Sequence, residues 1–299
     1  MGHSRKCPPV PKIPSGQRLG IQDGELLRID RYPQGAALNT DYPAAISNPI
    51  DQGTASRLRR FNTLMGLLHL VQGIAVLALT NDFVLPVTAT FLEGPPGGGE
   101  TALVELFEVR LGWGVALFLF MSAAAHWFLA SPLYFARYIR NLEERRNYAR
   151  WVEYAFSSSV MMVLIAMLTG ISTIGAVTAI FAVNATMILF GWLMEKYEQP
   201  GNASWLAFTF GSLAGIVPWG IISLYLWSPG TDASPPGFVY GIFISLFVLF
   251  NIFAVNMVLQ YRRVGRWQSY VFGERAYIVL SLVAKSLLAW QVFIGTLAS

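Results

Sequence analysis

The sequence is poor in charge and almost without cysteine. Charged residues occupy 13% of 299 positions, where a soluble domain carries about 25%. Hydrophobic residues reach 54% and the mean hydropathy is +0.48. These values exclude a disordered chain and argue against an ordinary water-soluble globule. The one cysteine, Cys7, excludes a disulfide framework and any cysteine-based zinc or iron–sulfur site. Lysine is scarce as well, at Lys6, Lys12, Lys196 and Lys285. A net charge of +4 admits a nucleic-acid partner on totals alone, so the placement of charge has to decide.

Residues 1–59 contain no apolar run long enough to cross a bilayer or form a signal-peptide core. They hold Pro8, Pro9, Pro11, Pro14, Pro33, Pro43 and Pro49 among scattered Asp, Arg and Gly. Lys6 stands where a myristoylation motif needs Ser or Thr. This stretch is expected to be a flexible cytoplasmic N-terminal extension, or an over-long gene start, with residues 60–299 forming the membrane domain.

From Phe61 onward the chain is a series of apolar runs, and a membrane helix needs about 20 such residues. Spans are predicted near 61–82, 107–131, 150–170, 172–194, 204–227, 237–260 and 275–297. They are too long and too continuously apolar for barrel strands. The fold class is therefore all-α, a polytopic seven-transmembrane helix bundle. The stretch TATFLEGPPGGGETALVEL after the first span offers two β-prone pieces around a Gly/Pro turn. It reads equally well as a small hairpin or an irregular loop.

Basic residues cluster on one side of these spans. Arg57, Arg59 and Arg60 precede the first span, and Arg137, Arg140, Arg145, Arg146 and Arg150 follow the second. Lys196 follows the fourth, and Arg262, Arg263, Arg266 and Arg275 follow the sixth. The other side has Arg110 beside Glu93, Glu100, Glu105 and Glu108. The expectation is a multi-pass cell-membrane protein, N-terminus cytoplasmic and C-terminus extracellular. The basic residues then fringe a bilayer, and no nucleic-acid partner is expected.

Ionisable groups inside a membrane are costly and point to function. Lys285 lies mid-span in YIVLSLVAKSLLAW, too central to snorkel. It needs an ion-pair partner, a shifted pKa or covalent conversion such as a Schiff base with an aldehyde. Glu153 in RWVEYAFSSS is the one carboxylate clearly inside a span, while Asp82, Glu108, Glu195 and Glu274 sit at span ends. Ser157 is one turn from Glu153, and Ser281 one turn before Lys285. His69 and His126 are expected at a depth similar to Glu153, as packed neutral imidazoles or as a polar pocket that receives a proton. No nucleophile–base set and no metal-ligand spacing is visible, so an enzyme is not expected. The residues alone leave a salt-bridged structural pair and a chromophore linkage both open.

The strings HLVQ, LALTNDFVLP, ALFLFMSAAAH, RWVEYAFSSSVM, FAVNATMILFGWLMEKY, GIVPWG, PGFVYGI and GERAYIVLSLVAKSLLAWQ, in this order, make the chain resemble a heliorhodopsin from about Arg60 to Leu297. The resemblance implies all-trans retinal bound to Lys285 as a protonated Schiff base, with Glu153 as its single counterion. Ser281 then stands where ordinary microbial rhodopsins usually have a second carboxylate. It implies His69 and His126 near the Schiff base on the cytoplasmic side, with Ser122 and Ser157 lining that cavity. Asn184, Met187, Ile188, Trp219, Phe243 and Phe247 would line the retinal. The family's inverted orientation agrees with the charge count, and its long first outer loop implies a homodimer.

An outward proton pump needs an internal donor about three turns beyond Glu153, where Val163, Leu164 and Ile165 are apolar. The expected function is a light-sensing photoreceptor that moves its Schiff-base proton locally and signals through its cytoplasmic face. The segment Arg137 to Arg150 is a candidate contact surface for a signalling partner. The alternative is a light-gated proton or ion channel or transporter.

Overall fold

An apolar run in a bilayer must satisfy its own backbone, and the helix does so within one segment. The computed structural model describes residues 19–22, 25–28, 49–99, 101–227 and 235–297. Seven of its helices are long and apolar enough to cross a membrane. The chain divides into two units, Met1–Ser47 and Asn48–Ser299. In the first, β1 (Leu19–Gln22) and β2 (Glu25–Arg28) pair antiparallel, with Leu19 opposite Arg28. The rest of the expected extension up to residue 48 lies outside the described residues.

The second unit opens with α1 (Gln52–Leu79), which starts well before the predicted edge near 61. Asp51 caps it by accepting the Thr54 amide at 2.8 Å. Hydrogen bonds from Thr54 hold the Asp51 carboxyl below its ordinary pKa. The arginines that end the apolar run do not end the helix, because Arg57 and Arg59 find partners in Thr54 Oγ1 and the Ala130 carbonyl.

Strands β3 (Val84–Leu92) and β4 (Thr101–Arg110) follow, so the outer segment is a hairpin. Val84 pairs with Arg110 and Leu92 with Thr101, with a register shift between Val87 and Thr88. Thr88 ties the hairpin to the turn after the third span, its amide donating to the Ser172 carbonyl at 2.9 Å. β4 is exposed along most of its length, with Leu103 and Phe107 pointing outward.

The other spans are α2 (Leu111–Ala130), α4 (Tyr148–Leu168), α5 (Ile174–Tyr197), α6 (Leu206–Leu226), α7 (Gly237–Tyr261) and α8 (Tyr270–Val292), the last continued by a wide turn over Phe293–Leu297. The segment expected as a loop between the second and third spans contains a short helix, α3 (Phe135–Glu143). It buries Tyr138 and Leu142 against Leu58 and Leu129. Hydropathy missed α3 because it is amphipathic, with Arg137 and Arg140 on the outer side of the same turns.

The half of the bundle toward the β3–β4 hairpin is a large apolar core. It includes Val76, Phe118, Leu119, Met162, Ile165, Ile180, Ile222, Leu246 and Leu288. The buried charges Arg150, Glu195 and Glu274 lie in the opposite half, the arginine-rich end. Facing the bilayer, Leu64, Val71, Ile74, Leu117, Ile216 and Val255 remain exposed, as expected where lipid replaces water.

Small residues set how closely the helices approach. A Cβ on Gly73 would overlap the Phe120 ring, and one on Gly66 the Trp127 ring, so α1 and α2 pack at near-backbone distance. Gly73→Val is expected to lower the thermal unfolding midpoint by helical circular dichroism, at a cost of about 1–3 kcal/mol. Gly241→Ala, where the nearest foreign atom to a new Cβ is Gln291 Nε2 at 3.9 Å, should leave that midpoint unchanged.

Candidate functional site

Lys285 projects from the middle of α8 and Glu153 from the first half of α4. Lys285 Nζ donates to Glu153 Oε1 at 2.8 Å and to Ser281 Oγ at 3.0 Å. Ser122 on α2 donates to the same carboxylate oxygen at 2.7 Å. The two charged side chains are only 4% and 10% exposed, so this is a buried ion pair with a polar collar. Ser157 is fully buried one turn along from Glu153.

A cavity of about 340 Å³ lies on the Lys285 side. Met187, Ile188, Trp219, Phe247, Phe250 and Met257 are among its apolar walls, with Ser157, Ser281 and Lys285 at its polar end. Gly215 lets the Met187 side chain lie against α6, where a Cβ would strike its sulfur. Trp219 packs edge-on against Phe243, Phe247 and Phe250 at 5.3–5.5 Å, which joins α6 to α7 through aromatic rings.

Two expected lining residues fall elsewhere. Asn184 is not at the cavity wall: its amide donates to Ser158 and Ser159 at 2.8 and 3.0 Å and clips α5 to α4. Phe243 stands behind the wall, between Trp219 and Trp227. The resemblance implied both as lining, but it does not separate a wall residue from one packed behind it.

On the Glu153 side lies a second cavity of about 560 Å³, whose polar wall includes Ser122, His126, Asn147, Arg150, Glu153 and Glu274. His69 and His126 stack at 5.6 Å between ring centroids. His126 Nδ1 is 2.9 Å from Asn62 Oδ1. His69 is fully buried and neither ring nitrogen has a protein partner among the described residues. Gln72, one turn from His69 on α1, accepts from Trp290 Nε1 at 3.1 Å.

The sequence reading placed Arg150 in the basic fringe and Glu195 and Glu274 at span ends. The two carboxylates do lie near span ends, whereas Arg150 leaves the fringe for the interior. All three are buried together at the arginine-rich end, where Arg150 pairs with Glu195 at 2.6 Å and also with Glu274. Arg150 lies over the rings of Trp151 and Tyr277 at 4.8 and 4.2 Å. Asn147, Trp151 and Tyr270 donate further hydrogen bonds to the two carboxylates. Tyr138 of α3 donates to Glu274 at 3.3 Å. Burial, and next the Glu274 carboxylate, push the Tyr138 hydroxyl above its ordinary pKa, so it stays a donor. A sequence signal existed: Arg150 is three residues before Glu153 and so shares its helical face.

Breaking a buried pair leaves an uncompensated charge, which costs about 3–5 kcal/mol. Arg150→Leu should therefore lower the thermal midpoint sharply in detergent. Arg262→Leu, at a surface ring contact with Trp205, should shift it far less.

A family model described as Heliorhodopsin matches residues 58–297 of the chain. No curated protein matches it. Among solved structures, the bundle is similar to the crystal structure of a light-driven proton pump, LR (Mac), from Leptosphaeria maculans. That likeness has a TM-score of 0.55 at 14% identity and covers 80% of this chain and 95% of the other. It shows a shared fold.

Proposed function

This chain belongs to the heliorhodopsin family, and from that premise we propose that it is a retinal-binding, light-sensing membrane photoreceptor that does not pump ions. The observation that carries the reading is one amine, Lys285, at the polar end of an apolar, aromatic-lined cavity of about 340 Å³, with one carboxylate 2.8 Å away.

The residues suit retinal. The cavity volume falls in the range of small-molecule sites, its walls are apolar, and a primary amine is what a Schiff base with the retinal aldehyde requires. When bound, all-trans retinal supplies a visible absorption band and a light-driven isomerisation. Lys285 would hold it covalently, and Glu153 would hold the positive charge of the protonated linkage. Ser122 and Ser281 fix the two partners of that pair, while Trp219, Phe247 and Met187 confine the polyene.

Several finer features belong to the same proposal. The one-sided arginines orient the N-terminus to the cytoplasm and the C-terminus outside. The extension up to residue 59 is cytoplasmic. The open β4 edge with Leu103 and Phe107 is the dimer contact, because an exposed apolar edge strand invites pairing. The sensor reading rests on the outer half of the bundle, where Leu164 and Ile165 are packed in apolar core and offer no proton relay.

All-trans retinal added to the purified protein is expected to give a visible band that hydroxylamine bleaches under light. Lys285→Ala should abolish the band, and Glu153→Gln should displace its maximum. An unchanged band in Lys285→Ala would remove the linkage. A robust steady photocurrent in illuminated cells would replace the sensor with the channel or transporter reading. Separately, Leu103→Glu combined with Phe107→Glu should convert a dimer to a monomer by size-exclusion chromatography with light scattering, without loss of the band.

A further inference from the structure

The sensor reading above leaves two buried ionic centres that share the wall of one cavity. Lys285–Glu153 serves the chromophore, and Arg150–Glu195–Glu274 has no part in it. A chain of hydrogen bonds runs between the surroundings of the first and the second. Asn62 Nδ2 donates to the Leu58 carbonyl at 3.0 Å and to the Tyr138 hydroxyl at 3.5 Å. A carbonyl only accepts, so the amide NH₂ faces Leu58 and Tyr138, and Oδ1 faces His126. His126 must then donate from Nδ1, across 2.9 Å. Tyr138 accepts from Asn62 and donates to Glu274 at 3.3 Å. Every link therefore points one way, from His126 through Asn62 and Tyr138 to Glu274.

We propose that Tyr138 is the positioning residue that carries the light signal from the histidine pair to the Arg150–Glu195–Glu274 cluster, with α3 as the moving output element. The inference rests on the retinal-binding reading. In this reading a proton leaving the nitrogen of Lys285 enters the cavity that Glu153 and His126 both line, and its uptake at His126 Nε2 makes the ring an imidazolium. Its Nδ1–H is then a stronger donor to Asn62, and each following donor is polarised in turn. Asn62 is an amide and hands no proton on. The proton stays at the histidine while its effect travels.

The chain has slack where the effect must act. The links on either side of Tyr138, at 3.5 and 3.3 Å, exceed the usual range of about 2.5–3.0 Å for hydroxyls and 2.7–3.2 Å for amides. Tightening them draws Tyr138 toward Asn62 and Glu274 and sets the phenol against Arg150 for the charge on Glu274. Tyr138 is fully buried and sits on α3 between Leu58 and Leu142, so its movement carries α3 with it. Arg137 and Arg140 on that helix would then present a changed basic face at the arginine-rich end.

The test is light-minus-dark infrared spectroscopy of the full chain loaded with all-trans retinal. Wild type should show a carboxyl difference band that Glu274→Gln removes. Tyr138→Phe deletes one oxygen; it should keep the visible band and the retinal isomerisation signals and lose the Glu274 band. Should Tyr138→Phe not fold, Asn62→Leu cuts the same chain one link earlier and should give the same loss. A Glu274 band that survives either substitution overturns the proposal, as does its absence from light-responsive wild type. Failure of wild type to form any visible band overturns the chromophore reading itself, and this inference with it.

Discussion

An ammonium group in the middle of an apolar bundle needs an anion beside it, and the arrangement of this molecule follows from that need. Moving an isolated ion from water to a protein interior costs several kcal/mol even after relaxation. Lys285 meets the requirement through Glu153, and the 2.8 Å contact locks α8 and α4 in register. One carboxylate oxygen receives both Lys285 and Ser122, so α2 is drawn into the same point. Three helices thus converge on one atom. The cavities open on either side of that junction, since side chains committed to it cannot also fill the space beyond.

The second ionic centre obeys the same rule with a different balance of charge. Arg150 faces two carboxylates, and one cation does not neutralise two anions. The excess is met by neutral donors, with Asn147, Trp151, Tyr138 and Tyr270 all turned toward Glu195 or Glu274. A guanidinium suits this position because its planar fork reaches two partners while its face stacks on Trp151 and Tyr277. The cluster binds α4, α5 and α8 near their ends, and through Tyr138 it reaches α3. Structural rigidity and sensitivity to a nearby charge share one cause, the low dielectric that makes each of these bonds strong.

The spans were legible from hydropathy because a bilayer imposes length and apolarity on every helix alike. Lys285 stood out as a lone charge far from a span end, and Glu153 as the one carboxylate read inside a span. Arg150, Glu195 and Glu274 were hidden for the opposite reason: one turn from an apolar run, a buried charge and a headgroup-facing charge look the same. Helix α3 was hidden because its apolar stripe is only Tyr138 and Leu142 wide. Asn184 and Phe243 show a further limit. The resemblance implied both as lining, but whether a side chain ends at a cavity or is held by a neighbour depends on contacts with other helices.

The two halves of the bundle differ in what they can conduct. Among the described residues, the Arg150–Glu195–Glu274 cluster lies at the arginine-rich end and the Lys285–Glu153 pair at mid-bundle, whereas the half toward the hairpin is closed by Phe118, Met162, Leu164, Ile165 and Leu288. Under the proposed reading, a proton released at the Lys285–Glu153 junction meets histidines, serines and carboxylates on one side and hydrocarbon on the other. Within the polar side, the route from His126 passes through the amide of Asn62, which transmits polarisation and stops the proton. In the proposed relay, energy deposited at the junction rearranges the hydrogen bonds that end at the Arg150 cluster and α3. Under the proposed reading, the apolar half and the single amide together make a bundle shared with a light-driven pump into one that moves helices and retains its proton.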